Sequence, residues 1–331
     1  MKKTTALVLA LLMMMSSLVG CGKKNDTANA DKTDKLKVVT TIFPEYDWVK
    51  EILGDKAGDA EITMLLDKGG DLHSYQPTAD DIDRIADCDL FIYVGGESDD
   101  WVKDALKNST NKDMKVINLL DVLKDSIKTE ETKPGMQAEE EHKGGKNDEH
   151  EEKEYDEHVW LSLKNVKPLV EKISEDLQEL DPENKEIYAS NTKAYVKKLS
   201  DLDDKYRKTA DTAKRKTVLF GDRFPFRYLT DAYGLNYYAA FAGCSAETEA
   251  SFKTVSFLAK KMDELKLPCV LTIEGSKHKI AETIVKNTAE KNQKVRTMDS
   301  MQSITSKDAD KGATYLSIME KNLSALKKAL N

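Results

Sequence analysis

The side chains most able to bind a metal ion stand at the ends of predicted strands. His73 lies a few residues past one β-rich run, Asp222 follows another after a single glycine, and Glu274 and Asp299 each come directly after a further run. His158 lies where an acidic segment rejoins the patterned sequence. Because ligands bind beyond the carboxyl ends of the strands in open parallel sheets, we expect these residues to share one crevice. Two neutral imidazoles with one or two carboxylates suit a first-row dication such as zinc or manganese.

Each of these residues also has a plainer interpretation. A single histidine in a loop is usually a surface group, and an acid after a strand is often the N-cap of the next helix. The second interpretation applies to Asp222 and Asp299, and Glu274 could cap a helix in the same way. The metal site is therefore predicted from the joint placement of the residues and not from any one of them.

Three of the five histidines lie in one acidic segment. His142, His150 and His158 follow each other at intervals of eight residues, and the segment 133–157 has few apolar residues. For His142 and His150 two interpretations stay open: a solvated charge run, or a low-affinity loop that collects metal ions for the fixed site. His278 stands between two lysines, which oppose metal binding, and is interpreted as a surface residue.

Short β-rich runs alternate with helical patterns in two regions of the chain. The first region contains four predicted strands, at Leu36–Phe43, Ala60–Leu66, Leu90–Val94 and Val116–Leu120. The second region contains four more, at Thr217–Phe220, Asn236–Ala242, Cys269–Ile273 and Lys294–Met298. The helices predicted in the second region are Phe226–Ala232, Phe252–Leu265, Lys279–Glu290 and Ala309–Ala329. Such alternation is typical of parallel sheets with right-handed crossovers.

The sequence between these regions is helical throughout. One helix is predicted to end at about Leu180, and a second to run from about Glu183 to Ala213. We therefore predict an α/β protein of two lobes, each a roughly four-stranded parallel sheet flanked by helices, with the ligand cleft between the lobes. A long rigid helix joins the lobes. The predicted boundaries are 36–160 for the N-terminal lobe, 161–215 for the connecting helices and 216–331 for the C-terminal lobe.

Composition narrows the classes of function. The chain has 331 residues, and 59 acidic against 51 basic residues give it a formal net charge of −8. This balance argues against nucleic-acid binding, which needs a cationic surface. The sequence has no H-E-x-x-H, G-x-S-x-G or Walker motif, so we do not expect an enzyme. No C-x-x-C pair occurs, and small buried hydrophobic residues are predicted at Cys88, Cys244 and Cys269.

The N-terminus has the features of a lipoprotein signal. Two lysines precede an apolar run from Ala6 to Val19 that is too short to span a bilayer. The sequence L-V-G-C that ends at Cys21 resembles a bacterial lipobox, in which cleavage precedes the cysteine and the thiol is lipidated. We predict a signal peptide at 1–20, a lipid anchor on Cys21 and a polar, flexible tether at 21–35. The protein would then work outside the cytoplasm, anchored to the cell membrane.

Motifs spread along the mature chain match one known family. They are V-V-T-T-I-F-P at Val38–Pro44, D-L-H-S-Y-Q-P-T-A-D-D-I at Asp71–Ile82, D-L-F-I-Y-V-G at Asp89–Gly95, D-E-H-V-W-L at Asp156–Leu161, E-L-D-P-E-N at Glu179–Asn184 and Y-G-L at Tyr233–Leu235. With these motifs the chain resembles the metal-binding solute receptors of bacterial ABC importers, the zinc/manganese group called cluster A-I. The resemblance covers essentially all of the mature chain.

This resemblance implies a function and part of a ligand set. Family ligands match His73, His158 and Asp299 of this chain. A receptor of this kind captures the ion in the cleft and changes shape little, because its helical connector is stiff. It then docks, as a monomer, on a membrane permease that is driven by an ATPase. Proton competition should weaken binding at low pH, because the ligands must be deprotonated.

One ligand position departs from the family pattern. The family's third ligand, a His or a Glu, falls here on Gly221 or Arg223, and neither side chain binds a metal. Asp222 lies between them and could substitute, or Glu274 or water could complete the shell. Zinc is the favoured cargo because of the acidic histidine segment, and manganese is the alternative.

Two other classes of function stay open. One is a surface adhesin or structural lipoprotein with vestigial metal binding, which the missing third ligand favours. The other is a receptor for a small organic solute or metal chelate, with Arg223 and Arg227 binding its anionic groups.

Overall fold

Two four-stranded parallel sheets form the framework of the protein, which we describe from a computed structural model. The first sheet has the order β2-β1-β3-β4, with β1 (Leu36–Thr40), β2 (Ala60–Met64), β3 (Leu90–Tyr93) and β4 (Lys115–Asn118). The second has the order β6-β5-β7-β8, with β5 (Thr217–Phe220), β6 (Asn236–Ala239), β7 (Cys269–Thr272) and β8 (Lys294–Thr297). All neighbouring strands are parallel. In each sheet the chain order reverses beside the first strand, where the strand ends open a crevice.

The structure describes residues 35–137, 154–245, 249–275 and 277–331. Cys21, His142 and His150 lie outside the described residues, so the lipid anchor and the metal-collecting loop stay predictions. Residues 36–331 form one compact unit. Within the described part of the chain, no helix is both long and apolar enough to cross a membrane.

Four helices accompany the first sheet in the described residues: α1 (Phe43–Leu53), α2 (Ala79–Asp87), α3 (Val102–Lys107) and α4 (Leu119–Leu123). Helix α1 has Pro44 in its first turn, and Gly54 follows its last residue. At the start of α2, the Thr78 hydroxyl accepts a hydrogen bond from the Asp81 amide, and the Asp81 carboxylate accepts one from the Thr78 amide.

Two long helices, α5 (Leu163–Leu180) and α6 (Lys185–Asp211), join the two sheets. With 27 residues, α6 is about 40 Å long at 1.5 Å per residue. It packs against α5 and α1 and buries Tyr188, Tyr195 and Tyr206. The long connecting helix predicted from Glu183 to Ala213 is confirmed.

The described residues of the second half contain α7 (Arg227–Ala232), α8 (Phe252–Leu265), α9 (Lys279–Asn287), α10 (Ser306–Asp310) and α11 (Tyr315–Leu330). The prediction of one helix over Ala309–Ala329 is wrong. The chain turns after α10, and Thr314 starts α11 because its hydroxyl accepts a hydrogen bond from the Ser317 amide. The apolar residues have helical spacing on both sides of this turn, so the pattern alone did not reveal it.

Helix α11 ties the second half of the chain to the first. The Tyr315 amide donates to Asp47 Oδ2 at 2.9 Å, and its ring lies edge-on to Trp48 at 5.5 Å between centroids. The Tyr206 hydroxyl donates to the Met319 carbonyl at 2.6 Å. All of these side chains are buried. The two sheets are therefore held by helix packing across the molecule as well as by the connecting helices.

Asp47 makes the stability of this junction depend on pH. Burial raises the pKa of Asp47 to about 7, although the Tyr315 amide opposes the shift. The folded state therefore binds this proton more tightly than the unfolded state, and stability falls between about pH 4 and pH 7 by up to roughly 1.4 kcal/mol per pH unit. Above pH 7 this loss is complete.

We expect Asp47→Asn to remove this pH dependence, since the amide oxygen can still accept from Tyr315. Urea unfolding at pH 5 and pH 8 measures it: the gain in free energy of unfolding over the wild type should be larger at pH 8. Asp113→Asn, at an exposed position, controls for the change in net charge. Equal gains at both pH values would contradict the expectation.

Candidate metal centre

Two imidazoles from distant parts of the chain face each other. His73 Nε2 lies 3.2 Å from His158 Nε2, and the ring centroids are 5.1 Å apart. His73 lies in a 3₁₀ turn, Leu72–Ser74, beyond the end of β2. His158 directly precedes another, Val159–Leu161, which leads into α5. The predicted pairing of His73 and His158 is thus present in the structure.

A carboxylate sets the orientation of the His158 ring. Asp156 Oδ1 lies 3.0 Å from His158 Nδ1. The same oxygen accepts a hydrogen bond of 3.0 Å from the His158 backbone amide. Both side chains are buried. Because the carboxylate accepts the Nδ1 proton, the lone pair of the neutral ring lies on Nε2, which points at His73. This is the carboxylate–histidine arrangement that orients metal ligands in proteins.

The His73 ring, like that of His158, is oriented by polar groups at its Nδ1 atom. Its Nδ1 lies 2.9 Å from Ser98 Oγ and 3.3 Å from Glu157 Oε2, and Asp71 accepts its amide. Burial by itself raises the pKa of Glu157, but the groups from His73 and Ser98 hold it below its ordinary value. The carboxylate is therefore ionised and favours the Nδ1 proton on His73. The Nε2 lone pairs of both rings then face one another, which favours a cation between them.

Gly96 lets the Glu157 carboxylate approach the backbone that follows β3. Gly96 has φ +87°, and a Cβ there would lie 2.3 Å from Glu157 Oε1. The same oxygen accepts the Ser98 amide at 2.9 Å. Only a glycine combines this backbone angle with so close a contact, so the sequence G-G after β3 positions the carboxylate that orients His73.

The third donor at this place is a thiol. The Sγ of Cys244 lies within 4.8 Å of donor nitrogens of both His73 and His158, and among the described residues these three form the group able to hold a metal ion. Burial, with the charges of Glu130, Asp156 and Glu157, raises the pKa of the Cys244 thiol. Cys88 and Cys269 are buried as predicted, but the same prediction for Cys244 is wrong, since it is half-buried beside the imidazoles.

The three predicted carboxylate ligands do not join this group. Glu274 accepts hydrogen bonds from the Ser300 amide and hydroxyl at 2.7 and 2.6 Å. Asp299 accepts the Met301 amide at 2.8 Å, and burial and the charge of Glu274 raise its pKa to about 6. In this structure the donors that lie together are two imidazoles and a thiol. The oxygens of Glu274 and Asp299 accept hydrogen bonds from Ser300 and Met301, so ligation by these carboxylates stays a prediction.

Asp222 is likewise not part of the three-donor group. Its Oδ1 accepts the Arg223 amide at 2.9 Å, and burial raises the pKa of this carboxyl. It does not cap the next helix, whose N-cap is Phe226, and metal ligation by Asp222 stays a prediction. The sequence placed it correctly beyond the strand but could not give its rotamer.

Arg223 links the loops that carry His73 and Cys244. Its guanidinium forms an ion pair with Asp71 and donates to the Ser245 carbonyl at 3.3 Å. Burial by itself raises the pKa of Asp71, but Arg223 holds it below its ordinary value. The idea that Arg223 binds an anionic solute is therefore not supported, because the guanidinium already has a carboxylate partner.

Gln302 is another residue at the site that the sequence did not suggest. Its Nε2 lies 3.3 Å from His158 Nε2, and its Oε1 accepts the Leu72 amide at 3.2 Å. Cys244 could have been found, because it follows a predicted strand as Asp222 and Glu274 do. Asp156 and Glu157 adjoin His158 in the sequence, whereas nothing in the pattern marks Ser98 or Gln302.

Fold and site together are those of a two-lobed metal receptor. A family model described as "Zinc-uptake complex component A periplasmic" matches residues 38–329, and the chain belongs to this family, ZnuA. Proteins of this family are components of zinc transport systems and not enzymes. The word periplasmic in the family description places them outside the cytoplasm. The predicted family, fold and class of function are confirmed.

Named relatives agree with this assignment. The chain is 32% identical over 317 residues to the high-affinity zinc uptake system protein ZnuA of Bacillus subtilis, covering 95% of this chain and 93% of the relative. It is also 32% identical over 330 residues to the zinc-binding lipoprotein AdcA of Streptococcus pneumoniae, covering 99% of this chain but 61% of that longer protein. Both names specify zinc, and manganese is not favoured.

Solved structures share the fold. The Zn(II)-bound ZnuA-like domain of Streptococcus pneumoniae AdcA matches with a TM-score of 0.67 and 30% identity, over 89% of this chain and 99% of that one. The metal-dependent lipoprotein YcdH of Bacillus subtilis matches with a TM-score of 0.70 and 30% identity, over 90% of this chain and all of that one. A mutant laminin-binding adhesin of Streptococcus agalactiae reaches 0.70 at 25% identity.

Proposed function

We propose that this protein captures a zinc ion between His73 and His158 and delivers it to the permease of an ABC importer. The 3.2 Å separation of the two Nε2 atoms carries the proposal. Tetrahedral zinc, with Zn–N bonds of about 2.0–2.1 Å, holds two imidazole nitrogens about 3.3 Å apart. Two ligands are therefore already at the spacing that the ion needs.

The buried charges around the imidazoles support cation capture. Asp156 and Glu157 lie against the two Nδ1 atoms, and Glu130 accepts the Cys244 amide at 2.8 Å. Arg223 is neutralised by Asp71, so its charge does not oppose a dication in full. Asp299 and Glu274 stay candidates for a further ligand, for which their hydrogen bonds to Met301 and Ser300 would have to break.

Delivery and location follow from the relatives and the N-terminal signal. Relatives are named as components of a zinc uptake system and as a lipoprotein, which supports a permease and its ATPase as partners and a lipid anchor on Cys21. The protein would act as a monomer at the outer face of the membrane. His142 and His150, in the acidic segment 133–157, would collect zinc for the site.

A thermal titration tests the capture of zinc. The full chain, stripped of metal with a chelator, is melted with Zn²⁺, with Mn²⁺ or with citrate as a small organic anion. Zinc at 100 times its Kd should add about 2.7 kcal/mol to the free energy of unfolding and raise Tm by several degrees. A larger shift with manganese would indicate the manganese receptor, and a shift with citrate alone the anion receptor. No shift with any of them would favour the adhesin or structural lipoprotein.

A further inference from the structure

We propose that Cys244 is the third protein ligand of the captured ion, so that the cargo class is restricted to thiophilic ions such as zinc and excludes manganese. This inference rests on the proposed function and deepens it. It is carried by the geometry of three donors, His73, His158 and Cys244, that all lie within 4.8 Å of one another.

The distances need only a small contraction. With Zn–N bonds of about 2.0–2.1 Å and Zn–S bonds of about 2.3 Å, a tetrahedral ion holds nitrogen and sulfur about 3.6 Å apart. Because the three donors lie within 4.8 Å of one another, each distance from sulfur to nitrogen has to shorten by at most about 1.2 Å. A χ1 adjustment of a half-buried side chain is enough for such a shift.

The loop that carries Cys244 is held against the imidazoles on both sides. At Gly243 a Cβ would lie 3.3 Å from the His158 ring and 2.9 Å from the Phe224 carbonyl, so glycine allows the close approach. The Cys244 amide donates to Glu130, and the Ser245 carbonyl accepts from Arg223. Contacts that position a loop in this way reduce the entropy lost when its thiol binds an ion.

Oxygen donors are held elsewhere by the same structure. Glu274 accepts a hydrogen bond from the Ser300 hydroxyl, and Asp299 accepts one from the Met301 amide. Asp71 forms an ion pair with Arg223. Beyond β5, where the family has its third ligand, Arg223 of this chain links the loops of His73 and Cys244. The thiol of the β6 loop fills the place that the departure from the family pattern leaves open.

Binding exchanges a proton for the metal. The S–H bond of Cys244 breaks, its proton leaves to solvent, and the sulfur electron pair forms the bond to the ion. Thiolate is a soft ligand that favours zinc and cobalt over manganese, which prefers carboxylate, carbonyl and water oxygens. Ligand type therefore sets the cargo class, with one further position open to water or another side chain.

Cobalt spectroscopy on the full chain tests the thiolate bond. Wild-type protein with Co²⁺ should show a sulfur-to-cobalt charge-transfer band in the near ultraviolet together with tetrahedral d–d bands. Cys244→Ser should lose the charge-transfer band. It should also bind zinc more than about 100-fold more weakly, because loss of even an outer-shell partner of a ligand costs 10–100-fold. Cys269→Ala, which removes a buried thiol in β7, should keep both band and affinity.

A hard-oxygen replacement tests the cargo class. Cys244→Asp should raise the affinity for manganese relative to zinc at least about tenfold over the wild type, because carboxylate oxygen suits manganese. If wild type and Cys244→Ser bind zinc and cobalt alike, with no charge-transfer band, this inference fails while zinc capture stands. If the wild type binds neither ion, the proposed function itself fails.

Discussion

His158→Ala is expected to abolish the stabilisation of this protein by zinc. The variant removes one of two imidazoles that share the ion, and the affinity for zinc should fall by more than about 100-fold, beyond the 10–100-fold loss that follows removal of a ligand's hydrogen-bond partner. Isothermal titration gives the affinity directly, and the zinc-dependent Tm shift should disappear with it.

The pair His73 and His158 allows a sharper test. Because both rings act on one ion, adding His73→Ala to His158→Ala should cost little further affinity, so the two effects should not be additive. His278→Ala is the matched control, since this histidine lies outside the three-donor group, and it should bind zinc like the wild type. Unchanged affinity in the double variant would rule out the imidazole pair as the zinc site.

Trp160→Ala should cause the largest loss of stability, about 3–5 kcal/mol, as for other buried Trp and Phe side chains. Trp160 is fully buried and its indole lies 5.2 Å from the His158 ring. Its Nε1 donates to the Ser300 carbonyl at 2.8 Å, and its own carbonyl accepts the Tyr315 hydroxyl at 2.7 Å. The side chain thus packs between the connecting segment and the second sheet, where its removal leaves a cavity.

Trp160→Phe separates packing from hydrogen bonding. It keeps most of the apolar contact but leaves the Ser300 carbonyl without its donor, so a loss of about 1–3 kcal/mol is expected. Ile187→Ala, at an exposed position of α6, should change stability by about 0.5 kcal/mol or less. Urea unfolding gives all three values, and a Trp160→Ala loss no larger than that of Ile187→Ala would contradict the role given to this side chain.

Trp160 also connects stability to the site. It lies beside His158 in sequence and in space, and it donates to a carbonyl next to Asp299, which follows β8. With Arg223 between the loops of His73 and Cys244, the site has links to both halves of the chain. Because these contacts already position the three donors, we expect their arrangement to change little when the ion binds. Binding then carries only a small cost in ordering the side chains.

Most of the fold could be predicted from local pattern. Each of the eight strands lies at or within one residue of a predicted run. Alternation of short β-rich runs with helical patterns is typical of parallel sheets. Two predicted strands extend further than the observed ones. The strand predicted to end at Phe43 ends at Thr40, since α1 begins at Phe43, and the strand predicted to end at Ala242 ends at Ala239. Local hydrogen bonding decides such ends, and sequence periodicity does not record it.

The site divides in the same way. His73 and His158 were predicted from residue type, position and family motifs, and the structure brings them together. Asp222, Glu274 and Asp299 were placed correctly beyond their strands, yet each side chain turns to a nearby backbone amide. Position along a strand fixes where a Cα lies, but the rotamer depends on competing partners that only the folded chain supplies.

The sequence by itself determined the two parallel sheets, the long connecting helix and the two imidazoles, because hydrophobic periodicity and residue type are properties of the chain. Only the tertiary structure decided the third donor. Cys244 lies beside the histidines because Gly243 lets its loop approach the His158 ring and because Arg223 and Glu130 hold that loop. Contacts between residues as far apart as Glu130 and Cys244 depend on how the sheets and loops pack, and no local pattern in the sequence encodes that packing.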